Sequence, residues 1–290
     1  MSTFTDNIIS IHGDAGQRWL DELDNTVANL AKKWNLRDLV AYDNLTFNYV
    51  LRGFQNDVPI VLKVGIRDGN LAKEAQTLQF FENHGAMKLI DWADGALLLQ
   101  RAVPGNSLME YFPHREEESI EIAADVIRKL HSISNNSKNF IPIEDLLGDF
   151  HKKWDIPDHF IFKAQCMAEH LLKTTTRRII MHGDLHHDNI LRNGDGWKII
   201  DPVGMAGDPA YEIASFMLNP IDKIWKCENA ATIIKNRIEK FSALLAINPR
   251  RIAQWTFVKS VLCWIWTLET PHHDRSQLAK LFDGIVDDYI

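Results

Sequence analysis

Three cysteines in 290 residues, Cys166, Cys227 and Cys263, leave little room for thiol chemistry. They are widely spaced and contain no Cys-x-x-Cys pair, which argues against a disulfide framework or a thiolate zinc site and predicts reduced thiols in the core. Positive charge is also short. With 32 Lys and Arg against 39 Asp and Glu, the formal net charge is −7, the wrong sign for a nucleic-acid or anionic-membrane partner. No apolar run reaches the ~20 residues a membrane span needs. The nearest, "WTFVKSVLCWIWTL" from Trp255 to Leu268, contains Lys259 and predicts a buried helix. Repeats and low-complexity tracts are missing, and "MSTFTDNIISIHGDAG" lacks the basic start and apolar run of a signal peptide. The expectation is a cytoplasmic protein with neither nucleic acid nor membrane as partner; nothing in the chain fixes its oligomeric state.

A hydrophobic content of 46% and a charged content of 24% are ample for a folded core, in one large domain or two lobes. Apolar residues recur at helical spacing from Ala15 to Trp34, predicting one amphipathic helix. The texture then changes. "LRDLVAY", "TFNYVLRGF" and "VPIVLKVG" read as short strands separated by the turn-like "DNL" and "QND". A helix, "NLAKEAQTLQFFENHG", follows with Gly85 at its end, then two strands, "AMKLIDW" and "ALLLQRAV". "PGNS" at 104–107 is the best linker candidate. Beyond it, helices are predicted over about 117–133, 160–173, 210–218, 230–246, 251–268 and 276–289, interrupted by a hairpin around "NGDG". The fold class is therefore α+β: a small β-rich N-terminal lobe over residues 1–103 and a larger, mostly helical C-terminal lobe over 104–290.

The densest chemistry lies in "MHGDLHHDNIL" and "WKIIDPVG". Three histidines and two aspartates crowd a few residues, so the choice is between a metal cluster and a loop that handles Mg²⁺ and phosphate. His182, Asp184 and Asn189 match the spacing His-x-Asp-x-x-x-x-Asn of kinase catalytic loops. Asp184 would accept the proton of an incoming hydroxyl, Asn189 would offer its amide oxygen to Mg²⁺, and Asp201, closing the strand "WKIID", would add a carboxylate. A lysine for the donor phosphates belongs on a strand of the first lobe, paired with a glutamate on the next helix. Lys63 in "IVLKVG" and Glu74 in "LAKEAQTL" meet that need, although a strand lysine and a helical glutamate can also be a surface pair. Zinc is the competing reading, since His182 and His186 have the spacing of a helical pair; a zincin needs Glu after the first His, where Gly183 stands.

Several groups carry two readings. Asp208 is either a substrate-facing acid or the cap of a helix starting at Pro209, and Glu212 either faces substrate or braces the loop. His182 and His186 steady the loop, while His187 is expected at the surface. The tryptophans from Trp255 to Trp266 read as core, and "HREEES" as a solvated helix start.

"VLKVG", "AKEAQTLQFF", "GALLLQRAVPGNSL", "MHGDLHHDNIL" and "KIIDPVGMAGDPAYEIA" together resemble the aminoglycoside phosphotransferase family, and within it the streptomycin/hydroxyurea resistance kinase branch, over about 36–218. The resemblance implies a two-lobed, protein-kinase-like fold moving the γ-phosphate of ATP, or of GTP, to a hydroxyl of a small molecule with Mg²⁺ as cofactor. By position it implies Asp184 as base, Asn189 and Asp201 as metal ligands, Lys63 and Glu74 as the phosphate anchor, and Gln100 and Ala102 as the backbone that binds the adenine edge. A cationic acceptor such as streptomycin suits a resistance kinase; a housekeeping sugar or amino-alcohol kinase, or a nucleotide-binding pseudokinase, is the alternative. The first hairpin, "AYDNLTFNYVLRG", departs from the glycine-rich pattern and leaves the side chain of Asn44, Thr46 or Asn48 to approach the phosphates.

Overall fold

Alternation of apolar and polar residues in the first hundred residues builds one antiparallel sheet. The computed structural model describes residues 4–133, 139–268 and 275–289. They divide into two compact units, Met1–Gly105 and Asn106–Ile290.

The first unit opens with α1 (Phe4–Asp21) and α2 (Leu23–Trp34), followed by β1 (Leu36–Ala41), β2 (Tyr49–Gln55), β3 (Val58–Val64), α3 (Asn70–Phe80), β4 (Leu89–Ala93) and β5 (Ala96–Gln100). The sheet order is β1-β2-β3-β5-β4, with every neighbour antiparallel. Asn56 and Asp57 join β2 to β3 with φ of 47° and 64°. Positive φ at both positions is the hairpin turn whose twist matches the strands, and Asn and Asp tolerate it. Leu51, Ile60, Leu62, Val64, Ala96 and Leu98 pack with Leu23 and Trp34 of α2. Each such side chain contributes about 1.5–3 kcal/mol on burial. Because successive residues of a strand face opposite ways, Lys63, between Leu62 and Val64, is turned away from that core.

The leading helix differs from expectation. Helix begins at Phe4, well before Ala15, and continues past Gly13, which takes a non-helical φ of 54°. The break at Glu22 is slight: its N–H still donates to the Arg18 carbonyl and its own carbonyl accepts from Thr26.

The boundary between the units falls within β6 (Pro104–Ser107), a short strand where a linker was expected. The second unit continues with α4 (Glu116–Leu130), β7 (Ile141–Pro142), α5 (Ile143–Leu146), α6 (Asp158–Lys173), β8 (Ile179–Met181), β9 (Ile190–Asn193), β10 (Gly196–Ile199), β11 (Met205–Gly207), α7 (Pro209–Leu218), α8 (Ala230–Leu245), α9 (Pro249–Leu268) and α10 (Ser276–Val286). β11 pairs antiparallel with β8 and parallel with β7, so the segment leaving β8 starts from a fixed edge. The expected hairpin is β9–β10, turned at Gly194 with φ 56°. α9 buries residues on all sides, from Ile252 and Trp255 to Leu262 and Ile265. It is a core helix. Among the described residues no helix is long and apolar enough to cross a membrane.

One sequence expectation fails for reasons of helical phase, and a second, the solvated helix start, holds at 114, 115, 117 and 118 but gives way to pairing at 116. α6 buries Phe160, Ala164, Ala168 and Leu171, which leaves Cys166 on the outer face, exposed; Cys227 and Cys263 are only half-buried. Glu116, at the start of α4, is not solvated: it makes a two-pronged bond with the fully buried Arg237 guanidinium.

Candidate active site

β8 ends at Met181 and β9 begins at Ile190, and the loop between them carries "HGDLHHDN". Its entry is held from α7. Glu212, wholly buried, accepts the N–H of His182 at 2.7 Å and of Gly183 at 3.1 Å. Burial pushes its carboxyl up to about 7, against the two N–H bonds that favour the charged form. The sequence alternative of a loop brace is therefore the one realised. Asp208 caps α7 by accepting the Ala210 N–H at 3.0 Å. It also takes bonds from Arg251, Trp255 and Thr175, tying α7 to α9 and to the segment just after α6.

His182 is fully buried, and its Nε2 lies 2.8 Å from the Ile200 carbonyl. A carbonyl only accepts, so Nε2 carries the proton and Nδ1 accepts the Asp184 N–H at 3.2 Å. Burial pushes this imidazole down to about 4, keeping it neutral. With both ring nitrogens engaged and residues 182–186 non-helical, the zinc pair is not formed. Among the described residues no group of three His, Cys, Asp or Glu is arranged to hold a metal ion.

Asn189 donates its amide N–H to the Asp184 carbonyl at 2.9 Å, which leaves its oxygen as the group it can offer. Its backbone carbonyl accepts the Ile200 N–H at 3.1 Å. Ile200 is thus pinned on one side to Asn189 and on the other to His182, and the next residue is Asp201. β10 has already ended at Ile199, so Asp201 lies beyond the strand, exposed, in the left-handed conformation at φ 56°. An amide oxygen and a carboxylate are hard donors of the kind Mg²⁺ takes together with phosphate and water.

The Asp184 side chain is about half exposed, at 48%. What burial it has pushes the carboxyl up; the Lys259 ammonium, aided by His186, His182 and Ser215, outweighs this and holds it below the usual carboxylate range. His186 Nε2 stands 3.7 Å from Asp184 Oδ2. Lys259 comes from α9, is 5% exposed, and donates to the Gly183 carbonyl at 2.9 Å and to Ser215 Oγ. His187 is not at the surface. It is fully buried, stacked 3.9 Å from Phe216 with Phe112 edge-on, because the short 3-10 turn 187–189 winds it inward.

Within the first unit, Lys63 Nζ donates to Glu74 Oε2 at 2.8 Å, with side chains only 6% and 10% exposed. This is a buried pair, not a surface one. Gln100 closes β5 with its N–H on the Lys88 carbonyl, Arg101 donates to Pro59, and the buried Ala102 follows. The turn without glycines is accommodated from the facing strand end. Asn48 Oδ1 lies where a Cβ on Gly65 would stand, at 2.3 Å, and the Thr46 carbonyl accepts from Asn7 at 3.2 Å.

The family model "Aminoglycoside/hydroxyurea antibiotic resistance kinase" matches residues 48–270. The chain belongs to that family. It is a kinase, transferring a phosphoryl group to a hydroxyl-bearing acceptor. Its sequence is 27% identical over 227 residues to streptomycin 3''-kinase of Klebsiella pneumoniae, covering 76% of this chain and 84% of that one. Its fold is similar to that of choline kinase LicA from Streptococcus pneumoniae, with a TM-score of 0.68 at 13% identity, covering 91% of this chain and 98% of that chain. Aminoglycoside phosphotransferase APH(4)-Ia, a thermostable mutant solved with ADP and hygromycin B, gives a TM-score of 0.64 at 13% identity over 90% of this chain and 97% of that chain. The protein-kinase-like α+β fold expected from the sequence is the one found. Sequence reasoning passed over Lys259 and Ser215 in this kinase. A lysine inside an otherwise apolar helix was the available signal, since buried ammonium demands acceptors.

Proposed function

We propose that this kinase moves the γ-phosphate of ATP, with Mg²⁺, to a hydroxyl of a small cationic antibiotic of the streptomycin type, in the cytoplasm. The observation that supports the reading is Ile200, bonded through its N–H to Asn189 and through its carbonyl to His182, which ties the residue before Asp201 to the loop that bears Asp184. Asn189 and Asp201 would hold Mg²⁺, whose charge would offset that developing between the β- and γ-phosphates. Asp184 accepts a hydrogen bond from the acceptor hydroxyl and aims its oxygen. A carboxylate kept so acidic orients first and takes the proton late, which is sufficient for a loose phosphoryl-transfer transition state. In this reading residues 1–103 serve the nucleotide: Lys63, fixed by Glu74, anchors donor phosphates, and the backbone of Gln100 and Ala102 binds the adenine edge. Residues 104–290 supply base, metal ligands and acceptor site. The kinship with streptomycin kinases and the net charge of −7 support a cationic acceptor.

The test is ADP release with ATP and with GTP, across streptomycin, other aminoglycosides, hydroxyurea, sugars and amino alcohols. Streptomycin-dependent release is expected, lowered roughly 10²- to 10⁴-fold in kcat by Asp184→Asn. Release with a neutral sugar alone would overturn the acceptor class, and full turnover in the variant would overturn the site.

A further inference from the structure

The buried Lys259 stands apart from the groups assigned above. It sits in the middle of α9, 5% exposed, in a helix whose other central residues are mostly apolar. An ammonium in such a place is retained only where acceptors compensate for lost water. Three groups do so. The Gly183 carbonyl accepts at 2.9 Å, Ser215 Oγ accepts a second N–H, and the Tyr211 ring lies under Nζ at 4.8 Å. Two of these point at catalysis. Gly183 directly precedes Asp184 and holds a left-handed φ of 87°. A Cβ there would meet Met205 at 2.6 Å, so glycine is required and its carbonyl is the group by which this turn can be held. Ser215 has one hydroxyl proton. Having accepted from Lys259, it donates that proton to the same Gly183 carbonyl, at 3.5 Å, so the carbonyl is held by both groups.

We propose that Lys259 is a positioning residue of the phosphoryl transfer: its ammonium, together with Ser215, clamps the Gly183 carbonyl and so fixes the backbone from which the Asp184 carboxylate faces the acceptor hydroxyl. Glu212 accepts the N–H groups of His182 and of Gly183 itself, so the entry to the loop is gripped from α7 through its donors and from α9 through its acceptor. This inference rests on the reading of Asp184 as the orienting base.

Lys259→Met keeps the length of the side chain and removes the charge and its donors. The full-length variant is expected to melt cooperatively, to keep KM for nucleotide and acceptor within about threefold, and to lose roughly 10²-fold in kcat, the usual cost of a small misplacement of a reacting group. A normal kcat per folded molecule, whatever the melting temperature, overturns the proposal, and so does a loss confined to KM. Should Lys259→Met not fold, Ser215→Ala carries the test: it leaves the ammonium but removes its second acceptor and the hydroxyl that also bonds the Gly183 carbonyl. A fall in kcat at constant KM supports the proposal, and an unchanged kcat overturns it. In Lys259→Ala, added methylammonium or ethylammonium should restore part of kcat while the matching alcohols do not; equal effects of both overturn it. Asp184→Asn, run in parallel, keeps the two claims apart. If that variant turns over normally, the base assignment has failed; if it is inactive while Lys259→Met is normal, only the clamp has.

Discussion

Glu212 accepts hydrogen bonds from two consecutive backbone N–H groups, His182 at 2.7 Å and Gly183 at 3.1 Å. A single buried carboxylate on α7 thereby sets the direction in which the chain leaves β8. Its burial has a measurable signature. Unfolded glutamate titrates near 4.5, whereas folded Glu212 is pushed up to about 7. The folded protein thus holds more protons than the unfolded chain between these values, and this group's contribution to stability falls as pH rises from 4.5 to 7. Glu212→Gln should remove that slope in urea titrations. The amide turns one N–H donor toward another, so a loss of about 1–3 kcal/mol below pH 5 is expected as well.

His131 has the opposite sign. Burial pushes its imidazole down from 6.5 to about 3. Stability from keeping it neutral is present above 6.5 and is lost as pH falls, because only the unfolded chain takes up the proton. His131→Phe removes the titration without emptying the site. Relative to the parent it should gain about 2 kcal/mol between pH 8 and pH 5, from 1.4 kcal/mol per pH unit. A parallel fall of both proteins in thermal melts would contradict this.

Gly65 and Asn48 form a reciprocal contact in the first unit. Gly65→Ala places a Cβ 2.3 Å from Asn48 Oδ1 and 3.1 Å from Leu71 Cδ1. The fold should survive, but the turn 43–48 must shift, raising the dissociation constant for nucleotide by about tenfold, which corresponds to 1.4 kcal/mol. Adding Asn48→Ala should recover most of this loss, a coupling that calorimetry of the double-mutant cycle would reveal.

Lys63→Met leaves Glu74 buried without the ammonium it faces. Breaking a buried pair from one side typically costs about 3–5 kcal/mol. Glu74→Gln added to Lys63→Met should return most of the stability in denaturant titrations. Nucleotide affinity should not return with it. Recovery of both would mean that the pair is only structural.

How much of this was legible before the coordinates depended on the reach of the interaction. Helices α4, α6, α8 and α10 show in the sequence because one face of each is apolar, α9 because it is mostly apolar for several turns, and α7 because Asp208-Pro209 is a start signal that works within three residues. The β2–β3 and β9–β10 turns follow from Asn-Asp and Asn-Gly-Asp-Gly for the same local reason. The loop motif fixed the order of Asp184, Asn189 and Asp201. The rest depends on groups far apart in the chain. Nothing near His187 says that Phe216 and Phe112 will enclose it, and nothing near Lys259 says that Gly183 will lie above it. The missing glycines of the first hairpin had a compensating glycine at 65, at the end of the strand opposite, which no turn rule inspects.

Asp201 holds a backbone shape that glycine would adopt with less effort, since φ of 56° crowds any β-carbon by about 1 kcal/mol. Asp201→Gly should therefore give a hardier protein that has lost its chemistry. The chain at this point is not the best sequence for its own backbone, and under the metal role proposed for Asp201 the shortfall is endurance given up for work.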